Sequence, residues 1–146
     1  MDSFGPKARS FFEAHPDWKP SVDSFCPVGW DEILAQALED LHELAERRRV
    51  SISIAQIKEK FAQLRIYVNV KGEPKQVHFD LISERGVLSG RSPKASRDSV
   101  SAEAAAIVNR ASDQAQLVCE QCGQPGVIRR SGWMRALCDS HAAKRE

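Results

Sequence analysis

The stretch that decides the fold lies near the C-terminus: Cys119-Glu120-Gln121-Cys122, fifteen intervening residues, then Cys138-Asp139-Ser140-His141. Two close pairs of soft ligands, separated by a spacer of hairpin length, are typical of a tetrahedral zinc site. Zinc takes four ligands at about 2.0 to 2.3 Å, so the chain must bring four side chains to one point. We therefore predict that Cys119, Cys122, Cys138 and His141 bind a structural Zn²⁺.

The residues between the two ligand pairs predict a hairpin. Gly123 follows the second cysteine, where a turn favours glycine because glycine adopts positive φ at little cost. Residues 127–130 and 133–137 are expected to form two short strands around a turn at Ser131-Gly132, and a helix is expected to begin near Cys138. A turn bearing two cysteines, a hairpin and a helix in this order resemble a treble clef or a zinc ribbon.

Other interpretations of these residues stay open. The cysteines can instead form a disulfide or be buried thiols, but the N-terminal residues lack the features of a secretory signal, which favours a cytoplasmic location where disulfides are rare. A catalytic zinc is disfavoured because such sites keep one position for water.

Three residues near or outside the cluster have their own predictions. Glu120 is predicted to be a solvated turn residue. Trp133 is predicted to be a ring that covers the zinc hairpin, with stacking on a nucleic-acid base as the alternative. Cys26 is expected to be a small buried hydrophobe.

Composition limits the class of protein. With 42% apolar and 28% charged residues in 146, the chain has the composition of a soluble globular protein, and no apolar run approaches a membrane span. The net charge of +1 hides a division, because residues 1–50 carry ten acidic and six basic side chains while residues 51–146 carry ten and fifteen. A mixed solvated surface is favoured over a dedicated nucleic-acid module, which clusters its basic residues on one face.

The N-terminal half predicts an arm followed by a long helix. Residues 1–29 are expected to form an arm with one short helix at 6–14, whose aromatic rings either pack on the core, which we favour, or dock on a partner. Residues 30–48 carry one apolar stripe at helical spacing, with acidic residues at the start and Arg47, Arg48 and Arg49 at the end, as the helix dipole favours. The five aromatics of this region are Phe11, Phe12, Trp18, Phe25 and Trp30.

The middle of the chain predicts strands. Residues 50–63 fit either a strand that turns into a short helix or a strand and hairpin with its turn near Ala62-Gln63. Residues 64–70 predict a strand, 71–74 a turn, and 76–82 an antiparallel strand that pairs back with Val77, Phe79 and Leu81 on one face.

The segment that follows predicts a loop and then a second helix. Residues 86–99, rich in Gly, Ser and basic side chains, are expected to form a mobile loop and a low-specificity contact for anions. Residues 101–116 are expected to form the helix, capped by Ser101 and with Glu103 in its first turn.

These segments predict an α+β fold with two main helices packed on a small antiparallel sheet. We divide it into an N-terminal arm (residues 1–29), an α+β core (30–116) and a zinc-binding module (117–146).

Three pieces of the chain are similar to a set of small proteins from bacteria and their phages. They are Gly29-Trp30 with Ile33-Leu34, the motif at residues 56–67 (Gln-Ile-Lys-Glu-Lys-Phe-Ala-Gln-Leu-Arg-Ile-Tyr), and the tail from Cys119 to His141. The middle motif usually has a glycine pair where this chain has Ala62-Gln63, a difference that disfavours a tight hairpin. The resemblance implies a bacterial or phage source and a metal-bound tail, and it implies no activity.

The sequence is compatible with three classes of function. The first is a non-enzymatic protein-binding module, such as an inhibitor or immunity protein, which a closed metal site, the lack of a catalytic constellation, a balanced charge and the short length favour. The charged residues of the middle motif fit such a role because paired opposite charges set register and association rate. The second is a zinc ribbon that binds nucleic acid through the basic residues around the metal. The third, an enzyme, is disfavoured because the sequence has no catalytic triad, carboxylate pair or phosphate loop. The predicted partner-binding residues are Lys58, Glu59, Lys60, Arg65, Arg129, Arg130 and Arg135.

Overall fold

The computed structural model describes residues 3–72, 78–83, 86–91 and 99–145, and its fold is α+β, as predicted. Helix α1 (Pro6–Ala14) and helix α2 (Asp31–Arg48) are joined by a segment with two short 3-10 turns, Pro16–Trp18 and Val28–Trp30. Three antiparallel strand pairs and two further helices follow, of which the last strand pair and the last helix form the tail. They are β1 (Ile52–Lys60), β2 (Gln63–Val70), β3 (His78–Ser83), β4 (Gly86–Arg91), α3 (Val100–Ala115), β5 (Val127–Arg129), β6 (Arg135–Leu137) and α4 (Asp139–Arg145).

The core forms where α1 and α3 pack on α2 and α3 packs on β2. The apolar stripe of α2 supplies Leu34, Leu38, Leu41 and Leu44, each at most 1% exposed, which confirms the helical pattern predicted for residues 30–48. The alanines of α3, including Ala104 and Ala111, let it approach closely because their side chains are short. The sheet face that meets these helices carries Ile54, Ile57 and Leu64.

The aromatic residues of the N-terminal segment pack mainly inward. Phe11, Phe12, Trp18 and Trp30 are all at most 6% exposed and belong to the hydrophobic core, which agrees with the packing interpretation. Phe25 is the exception at 48% exposed. Its backbone N–H donates to the carbonyl of Ile57 at 2.9 Å, so its segment runs along the outer edge of β1.

Asp31 has a role that its own helix does not indicate. Its carboxylate accepts hydrogen bonds from the backbone N–H groups of Lys7 at 2.8 Å and Ala8 at 3.0 Å, in the first turn of α1. Those groups have no partner within their own helix, and no side chain at the preceding Gly5 caps them. A residue in the first turn of α2 therefore caps α1 from 23 positions away along the chain.

The segment around residues 51–63 is a hairpin, which decides between the two predicted interpretations. β1 pairs antiparallel with β2 from Ile52 opposite Val70 to Lys60 opposite Gln63, with a bulge between Ile54 and Gln56. The two turn residues, Phe61 and Ala62, have φ of 54° and 63°. Two positive φ values in a two-residue loop match the twist of the flanking strands. The tight turn therefore forms without the glycine pair that it favours.

Three predictions for the middle of the chain are wrong. In the described residues β2 pairs with β1 and not with the strand after it, because β3 pairs with β4. Residues 86–91, predicted to be loop, form β4, whose backbone is held by that ladder. Ser99, rather than Ser101, caps α3 by accepting a hydrogen bond from the Ala102 N–H at 3.0 Å. The remainder of the predicted loop (92–98), part of the predicted turn (73–74) and the side chains of 76–82 lie outside what the structure describes.

Candidate metal centre

The tail places all four predicted ligands at one point. Cys119 and Cys122 lie in the turn before β5, Cys138 follows β6, and His141 lies in the first turn of α4. The ligand atoms of these four side chains all lie within 4.8 Å of one another. Among the described residues, this group of four side chains is the one that can hold a metal ion.

Local backbone structure explains this convergence. Gly123 has φ of 80°, as predicted, and its N–H donates to the Cys119 carbonyl at 2.9 Å, which folds the first cysteine pair into a tight turn. β5 pairs with β6 from Val127 opposite Leu137 to Arg129 opposite Arg135, so the hairpin returns the chain to its starting point. The Ala142 N–H then donates to the Cys138 carbonyl at 2.9 Å, so His141 lies within one helical turn of Cys138.

The electrostatic environment favours a thiolate at Cys119. Burial by itself raises the pKa of this thiol, but backbone N–H groups of Cys138, Gln121 and Cys122 direct their dipoles at its sulfur and lower the pKa to about 6. Thiolates, not thiols, bind metals. Cys119 is fully buried while Cys122 is exposed, so the site opens to solvent on one side.

The turn that carries the first cysteine pair docks tightly on the start of α2. The Gly29 N–H donates to the Glu120 carbonyl at 2.7 Å, and the indole Nε1–H of buried Trp30 donates to the Val118 carbonyl at 2.9 Å. A Cβ atom at Gly29 would lie 2.1 Å from the Cys119 carbonyl oxygen, so only glycine fits there. These contacts tie the metal-site backbone to the hydrophobic core.

Glu120 is not a solvated turn residue, which corrects the prediction for it. Its side chain is 2% exposed, and its Oε1 accepts a hydrogen bond from Arg135 Nε at 2.5 Å. Burial raises the pKa of Glu120, and the Arg135 guanidinium partly offsets this effect. A buried carboxylate needs such a partner because an unpaired charge is costly to bury. The pair links the metal-site turn to β6.

The structure also corrects the prediction for Trp133. Its ring is 59% exposed instead of covering the hairpin, and it stacks on Phe61 with a centroid distance of 5.8 Å and an interplanar angle of 28°. Phe61 occupies the turn between β1 and β2, and Trp133 directly follows Gly132 in the turn between β5 and β6. The two hairpins therefore meet through their tips.

The seven predicted partner-binding residues divide into two groups. Four of them are engaged within the protein: Glu59 accepts from the Ala62 N–H at 3.0 Å, Arg65 is 6% exposed, and Arg129 and Arg135 pair with Asp139 and Glu120. Of the other three, Lys58 and Lys60 are partly exposed and lie over the Tyr67 and Phe61 rings, and Arg130 is exposed. A role in partner binding stays a prediction for all seven.

No helix in the described part of the chain combines the length and apolarity required to cross a membrane. Comparison of the whole chain with protein-family models, with curated proteins and with solved structures found no match.

Proposed function

We propose that Cys119, Cys122, Cys138 and His141 hold one structural Zn²⁺. Tetrahedral zinc with ligands at the usual distances separates two sulfurs by about 3.8 Å and a sulfur from a nitrogen by about 3.6 Å. The Cys122 and Cys138 sulfurs are 3.8 Å apart, and His141 Nδ1 lies 3.5 Å from Cys119 and 3.3 Å from Cys138. This near match of spacing is the observation that carries the proposal, and the thiolate–imidazole donor set is one that zinc prefers.

Metal analysis of the purified protein tests this part. We expect one zinc per chain, and we expect Cys122→Ser to lose it because the site then offers only three good ligands. Cys26→Ser is the matched control, since Cys26 is a buried cysteine outside the cluster and this variant should keep its zinc. Wild-type protein without a transition metal, or equal loss from both variants, would contradict the proposal.

The function that we propose for the whole chain is a non-enzymatic, cytoplasmic protein-binding module of bacterial or phage origin, which inhibits or neutralises a larger protein. Four protein ligands close the metal site, so the ion holds structure and has no position for substrate water.

Two exposed apolar side chains flank the turn that carries Cys119 and Cys122. Leu117 is 67% and Val127 53% exposed, and the Leu117 carbonyl accepts from the Gly126 N–H at 2.9 Å, which brings these two residues together. A protein partner that covers such side chains gains the free energy of their burial.

Affinity capture with the tagged protein from a bacterial lysate tests the partner. The double variant Leu117→Asp, Val127→Asp should keep its zinc and lose a protein that the wild type retains at about one copy per chain. Val22→Asp is the control, because Val22 is equally exposed at 53% but lies on the N-terminal segment. Retention of that protein by the double variant, or recovery of nucleic acid without any stoichiometric protein, would contradict a protein-binding role.

A nucleic-acid-binding role is the second candidate, and one observation favours it. Trp133 is predicted from the sequence to pack on the hairpin rather than to stack on a base, but its side chain is 59% exposed. Exposed aromatic side chains beside basic residues are typical of proteins that bind single strands.

A further inference from the structure

The two hairpin tips form a compact aromatic surface. Phe61 and Trp133 stack at 5.8 Å, and Lys60 Nζ lies 5.4 Å from the centroid of the Phe61 ring. On the same face of the β1–β2 hairpin, Lys58 Nζ lies 5.4 Å from the Tyr67 ring. Arg65 Cζ also lies 6.0 Å from the centroid of the Phe61 ring, but Arg65 is buried, so Lys58 and Lys60 are the two partly exposed cations beside the rings. We refer to Phe61, Trp133, Lys58 and Lys60 as the tip surface.

Charge is distributed unevenly around this surface. Residues 51–72, which contain the β1–β2 hairpin, carry four basic and one acidic side chain, a balance of +3. Residues 117–144 carry four basic and two acidic side chains, a balance of +2, and both acids are paired with arginines. Residues 3–50 carry six basic and nine acidic side chains, a balance of −3. The tip surface thus lies where the two basic segments meet, so it attracts a polyanion.

We propose that the tip surface binds single-stranded nucleic acid, an inference that rests on the second candidate function. A base that stacks on Trp133, whose side chain is 59% exposed, would extend the ring stack with Phe61, and Lys58 and Lys60 would contact the flanking phosphates. Bases of a duplex are already stacked inside it and do not offer a free face, so an unpaired strand fits better.

The same residues fit a protein partner less well. Lysine is depleted in the cores of protein interfaces, because its strongly hydrated ammonium is costly to bury. Here the two partly exposed cations next to the rings are lysines, whereas Arg65 beside Phe61 is buried. Glu59, the acidic residue between the lysines, turns its carboxylate to the Ala62 N–H. The outward charge is therefore positive, as a phosphate backbone requires.

Tryptophan fluorescence provides a direct assay because the three tryptophans differ in exposure. Trp18 and Trp30 are 6% and 0% exposed, so quenching by an added strand reports on Trp133. We expect a 12-nucleotide oligo-dT strand to quench the emission at low salt and a duplex of equal length to bind more weakly. Quenching should weaken steeply as salt is added, because phosphate contacts release counterions.

Substitutions in the zinc-loaded protein then locate the site, with binding followed by anisotropy of a labelled strand. Trp133→Ala should weaken binding roughly tenfold or more, since stacking contributes strongly to each bound base. Lys60→Gln should reduce the salt dependence. Phe25→Ala is the matched control, an aromatic side chain of similar exposure outside the tip surface, and it should bind like the wild type.

Each outcome is decisive. Wild-type affinity in the Trp133→Ala variant, or no binding of the single strand at low salt, overturns the inference. Equal binding of single strand and duplex overturns the tip surface as a stacking site while leaving a nucleic-acid function in place. Equal zinc content in all variants separates these results from failure of the metal site.

Discussion

Replacement of Gly29 by alanine tests how the metal-site turn is attached to the core. The added Cβ would lie 2.1 Å from the carbonyl oxygen of Cys119 and 2.5 Å from the carbonyl carbon of Glu120. Both are backbone atoms and cannot rotate away, so the turn must move by about 1 Å to restore van der Waals contact.

The cost follows from the contacts that this shift disrupts. Overpacking of this kind costs about 1 to 3 kcal/mol. The hydrogen bonds from Gly29 N–H at 2.7 Å and Trp30 Nε1–H at 2.9 Å would weaken as well, and each contributes about 1 kcal/mol. We expect Gly29→Ala to lower the free energy of unfolding by about 3 kcal/mol or more.

Urea denaturation of the zinc-loaded protein, followed by circular dichroism, measures this loss. Zinc transfer to a chelator should also be faster in the variant, because the turn holding Cys119 and Cys122 is no longer fixed. Val28→Ala is the control, since Val28 belongs to the same 3-10 turn and is 60% exposed. A change below about 0.5 kcal/mol in Gly29→Ala, close to what surface substitutions give, would refute the docking argument.

Three further predictions follow from single residues. Ala62→Gly should stabilise the protein or leave it unchanged, because Ala62 has φ of 63°, whereas Ala106→Gly in exposed helix should cost about 1 kcal/mol; equal losses in urea denaturation would contradict the strained turn. Asp31→Asn should cost about 2 kcal/mol, since its carboxylate receives two backbone N–H groups of α1, whereas Glu32→Gln beside it should cost less than about 0.5 kcal/mol. Burial and the Asp31 charge raise the pKa of Cys26, so the unfolded chain loses this proton first as pH rises. The wild type should therefore lose up to about 1.4 kcal/mol of stability per pH unit above about pH 8.5, relative to Cys26→Ala, and parallel pH profiles would contradict this.

Features set by residues close in the chain could be predicted. The four candidate ligands come in two local pairs, each held by one turn, so their spacing alone indicated the cluster that the structure forms. The apolar stripe of α2 and the glycine with positive φ at position 123 are likewise local. The cap of α3 was assigned to the wrong serine because Ser99 and Ser101 give similar local signals.

Features set by distant contacts could not be predicted. Glu120 is buried because the turn around it docks on Gly29 and because Arg135 arrives from β6. Trp133 is exposed because its hairpin meets the tip of another hairpin, at Phe61, and nothing near either ring in the sequence indicates that meeting. Asp31 is an acidic residue in the first turn of α2, where it would be expected to stabilise its own helix, but its carboxylate caps α1 instead.

X-ray absorption at the zinc edge of the purified protein tests the central claim most directly. We predict three sulfur ligands at about 2.3 Å and one nitrogen at about 2.0 to 2.1 Å around a single zinc. A shell containing water or carboxylate oxygen, or protein in which Cys122 and Cys138 form a disulfide and no zinc is bound, would contradict the account.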